Sequence, residues 1–222
     1  YYLISLVLGA GLLLNSCSDD SNGPNNTNLS MVGSLSSTSV SSTNIKNDTP
    51  LANDIDEVKI NSVRILISDI KMHVNGVGLT VKAGAAVFEA NSNTQEFTFA
   101  VADIPNGSLN NVKYEFHRFS TSELPTYADD DVFKDFATSE RYTVIIKGET
   151  VSGGISTPFT YHSSPVANLN FDFEPPVDVD DNSQIIINFE FDTEMVFMDK
   201  GELLDPNDTK NRPHIDNSIK DA

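Results

Sequence analysis

Val58-Lys59-Ile60-Asn61-Ser62-Val63-Arg64-Ile65-Leu66-Ile67-Ser68-Asp69-Ile70-Lys71-Met72-His73-Val74 alternates apolar and polar side chains, and its apolar phase slips at Asn61-Ser62 and again at Ser68-Asp69. Period-two alternation is the mark of a half-buried strand, and each slip predicts a bulge or a bend. The same texture continues to the C-terminal side. Phe97, Phe99 and Val101 alternate, and so do Val112, Tyr114 and Phe116 after the turn Asp103-Ile104-Pro105-Asn106-Gly107. Tyr142, Val144 and Ile146 lead through Gly153-Gly154 into Ile155, Thr157, Phe159 and Tyr161, a hairpin pattern with a glycine turn. Leu169, Phe171 and Phe173 form a strand that Pro175-Pro176 is expected to end, and Ile185, Ile187, Phe189 and Phe191 form another. One helix is expected over residues 129–137, where an acidic start precedes Val132, Phe133 and Phe136 at helical spacing. Many short strands separated by turns predict an all-β fold. The expected architecture is a two-sheet antiparallel β-sandwich of Ig-like, Greek-key type with one short helix, and a β-barrel is the alternative.

The N-terminal part has a different texture. Leu3 to Leu14 is almost wholly apolar and is followed by Asn15-Ser16-Cys17, which holds the chain's single cysteine. About a dozen apolar residues fall short of the roughly 20 that span a bilayer and fit the apolar core of a signal peptide. Leu14 three residues before Cys17 and Ser16 directly before it resemble a bacterial lipoprotein box. That resemblance implies cleavage before Cys17 and lipidation of Cys17 as the first residue of the mature protein. Ser18-Asp19-Asp20 resembles the surface-export signal of Bacteroidota-type lipoproteins. The expected organisation is a signal peptide over 1–16 with a truncated start, a lipidated Cys17 and disordered Ser/Asn/Thr-rich tether over 17–57, and a β-sandwich domain over 58–222.

Charge narrows the function classes. Lys and Arg total 14 against 32 Asp and Glu, a net charge of −18, and no charged residue precedes Cys17. Such a surface repels a phosphate backbone, which excludes nucleic acid as a partner. It also resists anionic lipid, which leaves the acyl chains as the membrane link.

Three segments together resemble a family. They are Ile104-Pro105-Asn106-Gly107 leading into Val112 to His117, the hairpin from Tyr142 to Tyr161, and Gly201-Glu202-Leu203-Leu204-Asp205-Pro206 followed by Ile215-Asp216-Asn217-Ser218-Ile219. They are similar to uncharacterised β-rich lipoproteins, a domain of unknown function, from Bacteroidota and related bacteria. The resemblance covers residues 58 to 222 and brings no activity or catalytic residues. It implies that related chains continue past Ala222 into a helix.

Among chemistry-bearing clusters, Asp205, Asn207, Thr209, Asn211 and Asp216 fall at the first, third, fifth, seventh and twelfth positions of a calcium-loop spacing, with Lys210 where the turn wants Gly. Asp178, Asp180 and Asp181, and Asp129-Asp130-Asp131, are the other oxygen-rich runs, and solvated acidic loops compete with metal binding at all three. The histidines His73, His117, His162 and His214 form no zinc motif, and no Gly-x-Ser-x-Gly elbow or phosphate loop is present. Glu190, Asp192 and Glu194 are read as a solvated strand face rather than a glycosidase pair. Alternating Phe residues are read as core. Tyr127 and Tyr161 are the aromatics to weigh as sugar platforms against packing. The reading is a lipid-anchored outer-membrane lipoprotein, non-enzymatic, with a protein or glycan partner and no required cofactor. A surface-anchored hydrolase and a pilus-type subunit are the alternatives.

Overall fold

The computed structural model describes residues 28–41, 55–67, 69–75, 79–83, 85–93 and 97–222. The strands are β1 (Leu29–Leu35), β2 (Ser39–Ser41), β3 (Glu57–Ile67), β4 (Asp69–Asn75), β5 (Leu79–Ala83), β6 (Ala86–Asn91), β7 (Phe97–Ala102) and β8 (Gly107–Phe116). Then follow helix α1 (Leu124–Tyr127), β9 (Val144–Ser152), β10 (Ile155–Ser163), β11 (Ala167–Val179), β12 (Ile185–Phe191), helix α2 (Thr193–Phe197), the ribbon β13 (Met198–Asp199) with β14 (Glu202–Leu203), and helix α3 (Arg212–Ser218). The fold is all-β, a sandwich in which no sheet closes into a barrel.

Hydrogen bonding divides the strands into three main sheets. Their orders are β12-β1-β7, β10-β9-β3-β2 with β6 also on β3, and β11-β8-β4-β5. The Val58–Val74 stretch ties two of them together. Its first phase slip is a register shift between Ile60 and Ser62 opposite β9. At its second slip the chain leaves β3 and enters β4, which belongs to another sheet. Val58, Ile60, Val63, Ile65, Ile67, Ile70, Met72 and Val74 all enter one core cluster, because each slip resets the pleat so that the apolar set stays inward. That cluster draws side chains from all three sheets.

Four expectations are corrected. The tether expected over 17–57 contains β1, a central strand with Leu29 and Met31 buried. β1 pairs parallel with β12 and antiparallel with β7, so the sandwich is not purely antiparallel. Leu29, Met31, Gly33 and Leu35 alternate within a Ser/Asn/Thr-rich composition, and pairing on both sides supplies the burial that the segment lacks alone. Gly33 makes room for the neighbouring ring: a Cβ there would lie 2.6 Å from Cε2 of Phe88, which would have to shift. Second, residues 129–137 form consecutive turns rather than a helix. The Asp130 carboxylate accepts from the Val132 and Phe133 N–H groups as at a helix start. In the backbone beyond it, however, Lys134 to Asp130 and Ala137 to Phe133 are the i-to-i−4 bonds, and the others close tighter i-to-i−3 turns. Third, the helices are instead α1, α2 and α3, with α2 capped by the Asp192 side chain accepting from the Met195 N–H at 3.0 Å. Fourth, β11 runs past Pro175-Pro176 to Val179, accommodating them in a register shift between Asp172 and Val177 at a sheet edge, where proline's missing N–H is tolerated. The Gly153-Gly154 hairpin turn stands as expected, with φ of 57° and 82°.

Candidate functional site

Between the sheets lies an open cleft of about 460 Å³. Its walls follow from strand alternation. Val112, Tyr114 and Phe116 project from one face of β8, and Leu169 and Phe171 stand on that same face of the neighbouring β11, opposite Tyr114 and Val112 respectively. Phe173 continues the wall along β11. Ile187, Phe189 and Phe191 of β12 face them, and Ile65, Ile67 and Phe88 from β3 and β6 form the floor. β11 and β12 are each at the edge of their sheet among the described residues, so the cleft opens between two edges.

Aromatic rings run across it as a chain. Phe171 stacks on Tyr114 with centroids 5.1 Å apart, Tyr114 meets Phe189 edge-on at 4.9 Å, Phe189 meets Phe99 at 5.5 Å, and Phe99 meets Phe88 at 5.7 Å. These are the offset and edge-on arrangements that ring quadrupoles favour. Phe171, Phe173, Leu169 and Phe189 stay only half-buried, because the space in front of them is not filled by described residues.

The polar groups are few. Tyr114 is 4% exposed. Its hydroxyl is buried without a hydrogen-bond partner, and burial pushes the phenol well above its ordinary value, so it stays protonated. Glu190, Asp192 and Asp221 belong to the lining, and among the described residues no Lys, Arg or His does. Such a cleft can bury an apolar body. Sequence reading placed these Phe residues in the core. The signal available was the density of Phe and Tyr in Phe171 to Phe173 and Phe189 to Phe191, and alternation alone cannot say whether an inward face is covered.

The other candidate positions are not brought together there. Cys17 lies outside the described residues. Of the calcium-spaced set, Asp205 accepts the Asn207 N–H on Oδ1 at 2.8 Å, and the Asn211 amide donates to the Asp205 carbonyl at 3.1 Å. Thr209 is exposed. Asp216 instead sits on α3 facing β10, where its Oδ1 accepts from Tyr161 at 2.8 Å and from Ser163 at 2.5 Å. Its Oδ2 lies 3.7 Å from Arg212. Among the described residues no three His, Cys, Asp or Glu side chains converge as a metal-holding group. Asp178 accepts from Ser108, Asp180 from Ser183 and Asp181 from Asn106. Asp131 pairs with Lys134, which holds its carboxyl below the usual range.

Tyr161 is buried against α3. Burial first, and then the hydrogen bond to Asp216, raise its phenol well above the ordinary value. Tyr127 stacks on Phe119 at 4.2 Å. Both tyrosines are therefore packed rather than presented as platforms. His73, His117 and His214 are exposed, and His162 stacks on Tyr142 at 4.4 Å. No described helix is long and apolar enough to cross a membrane. Comparisons with protein-family models, curated proteins and solved structures return no match.

Proposed function

We propose that the protein is a lipid-anchored lipoprotein of the bacterial outer membrane whose all-β head binds an apolar partner without catalysing a reaction. The cleft carries this reading. Its volume lies within the few hundred to a thousand Å³ of small-molecule sites, and like them it has apolar aromatic walls and few polar groups. The lipoprotein-box resemblance at Cys17 and the net charge of −18 support a head held near a bilayer by acyl chains rather than by adsorption.

Two measurements test it. Cys17→Ser should abolish incorporation of labelled palmitate and release the protein from membranes; retention of the unlabelled variant refutes the anchor. The full chain should take up the neutral dye Nile red saturably, and Leu169→Trp, which places an indole in the cleft, should prevent it. Uptake unchanged in that variant refutes the binding cleft.

A second reading, a pilus-type subunit, rests on the edge positions of β11 and β12 beside the cleft, since strand edges accept an added strand. It predicts concentration-dependent polymers in size-exclusion chromatography. The hydrolase alternative draws the least support. Of the lining acids, Asp192 accepts the Met195 N–H on Oδ1 as the cap of α2.

A further inference from the structure

The chain enters the head at one end of the strands and the cleft opens at the other. We propose that the end around Asn28 faces the anchoring bilayer and that the cleft is held away from it, open to an apolar partner that arrives through solution. This orientation rests on the lipid-anchor reading above.

Asn28 fixes the entry point. Its side chain donates to the Ile104 carbonyl at 2.8 Å and accepts the Ile104 N–H at 2.9 Å, and its own carbonyl accepts the Ile185 N–H at 2.8 Å. The turns that meet there are joined as well, with Asn106 donating to Asp181 at 2.6 Å. Strand registers carry the cleft to the opposite end. β1 runs parallel to β12, from Leu29 opposite Ile185 to Leu35 opposite Phe191. The cleft begins on β12 only at Ile187 and continues to Asp192 and Met195 beyond the end of that strand. On the other wall Gly107 pairs with Val179 near Asn28, and Phe116 pairs with Ala167 at the far end. There the cleft uses β8 from Val112 onward and β11 no farther than Phe173. Cys17 precedes Asn28 by about eleven residues, a link that spans at most about 40 Å when fully extended. Turning the cleft toward the bilayer would require this link to run back along the head for the length of β1, about 20 Å, and so to give up half of its reach.

The test uses the lipidated full chain in phosphatidylcholine vesicles that carry an acceptor dye on their headgroups. Cys17 is the chain's single cysteine and lipidation occupies its sulfur, so an introduced thiol is the only one that takes a donor dye. Gln184→Cys marks the Asn28 end and Glu194→Cys the cleft end, both at exposed positions. Energy transfer from position 184 should exceed that from position 194 about twofold, for a separation of about 20 Å along the strands. Asn182→Cys, also exposed, should repeat the result at 184. A Gly/Ser insertion of about twenty residues between Asn26 and Thr27 should bring positions 184 and 194 to equal transfer. Equal transfer without the insertion, or greater transfer from 194, overturns the orientation, while flotation of the protein with the vesicles leaves the lipid anchor standing. A difference that survives the insertion also overturns it, because the length of the link is then not its cause. A chain that neither floats nor takes up labelled palmitate refutes the anchor, and the orientation with it.

Discussion

Two aromatic clusters flank the sheet that contains β3, and they end differently. On one face Leu66, Val87, Ile145, Phe119 and Phe136 form a small core under the 120–140 segment. Phe136 is wholly buried there, and Phe119 packs on Tyr127 and Phe133. Arg64 seals the arrangement. Its guanidinium lies 5.3 Å from the Phe136 ring centroid, pairs with Asp135 and Glu89, and donates to the Val132 carbonyl. On the other face the cleft is lined by the same kinds of side chain, yet no described segment crosses it. An aromatic face becomes core when another segment covers it, and a candidate site when no described segment does.

The largest effect should separate the two faces directly. Phe136→Ala should cost about 3–5 kcal/mol in urea unfolding, since a wholly buried ring leaves a cavity. Phe171→Ala, half-buried, should cost less than about 2 kcal/mol and weaken dye uptake. Equal costs would mean that the cleft wall is ordinary core.

Arg64→Ala comes next, at about 1–3 kcal/mol, because it leaves Asp135 and Glu89 without their shared cation and uncovers Phe136. A change indistinguishable from zero would break the claim that counter-charge seals that face. Smaller still, Tyr114→Phe should be neutral or stabilising by up to about 1 kcal/mol, since it removes a buried hydroxyl with no partner. A clear loss of stability would show that the hydroxyl is satisfied in solution and that the wall is complete.

The least effect concerns pH. Burial, then Lys147 and Arg212, hold His162 below its ordinary value of 6.5. The unfolded chain therefore takes up the proton first as pH falls through 6.5. Stability contributed by neutral His162 is present above that pH and declines below it, until the folded form also protonates. Thermal melts from pH 7 to 5 should show this decline, reduced in His162→Gln, while Phe171→Ala should leave it unchanged.

Much of the fold was legible. The slips at Asn61-Ser62 and Ser68-Asp69 mark a register shift and a change of sheet, and Gly153-Gly154 marks a hairpin. β1 was hidden because composition dominates a polar window, although Leu29, Met31 and Leu35 keep strand spacing around Gly33. The turn run after Asp129 was misread because helical spacing of apolar residues does not reveal that most of its backbone bonds close as i-to-i−3 turns. The Asp205 spacing suggested one loop, but α3 begins at Arg212 and carries Asp216 to Tyr161 and Ser163 instead.

By itself the sequence determined that the chain builds strands, which faces of them are apolar, and that the protein is strongly acidic. These follow from alternation and charge, both properties of neighbouring residues. Only the tertiary structure decided that β1 lies between β12 and β7, that Arg64 closes one aromatic face, and that Tyr114, Phe171 and Phe189 border a space that no described residue fills. Those outcomes depend on contacts between residues far apart along the chain, where no local pattern records which surface another segment will cover.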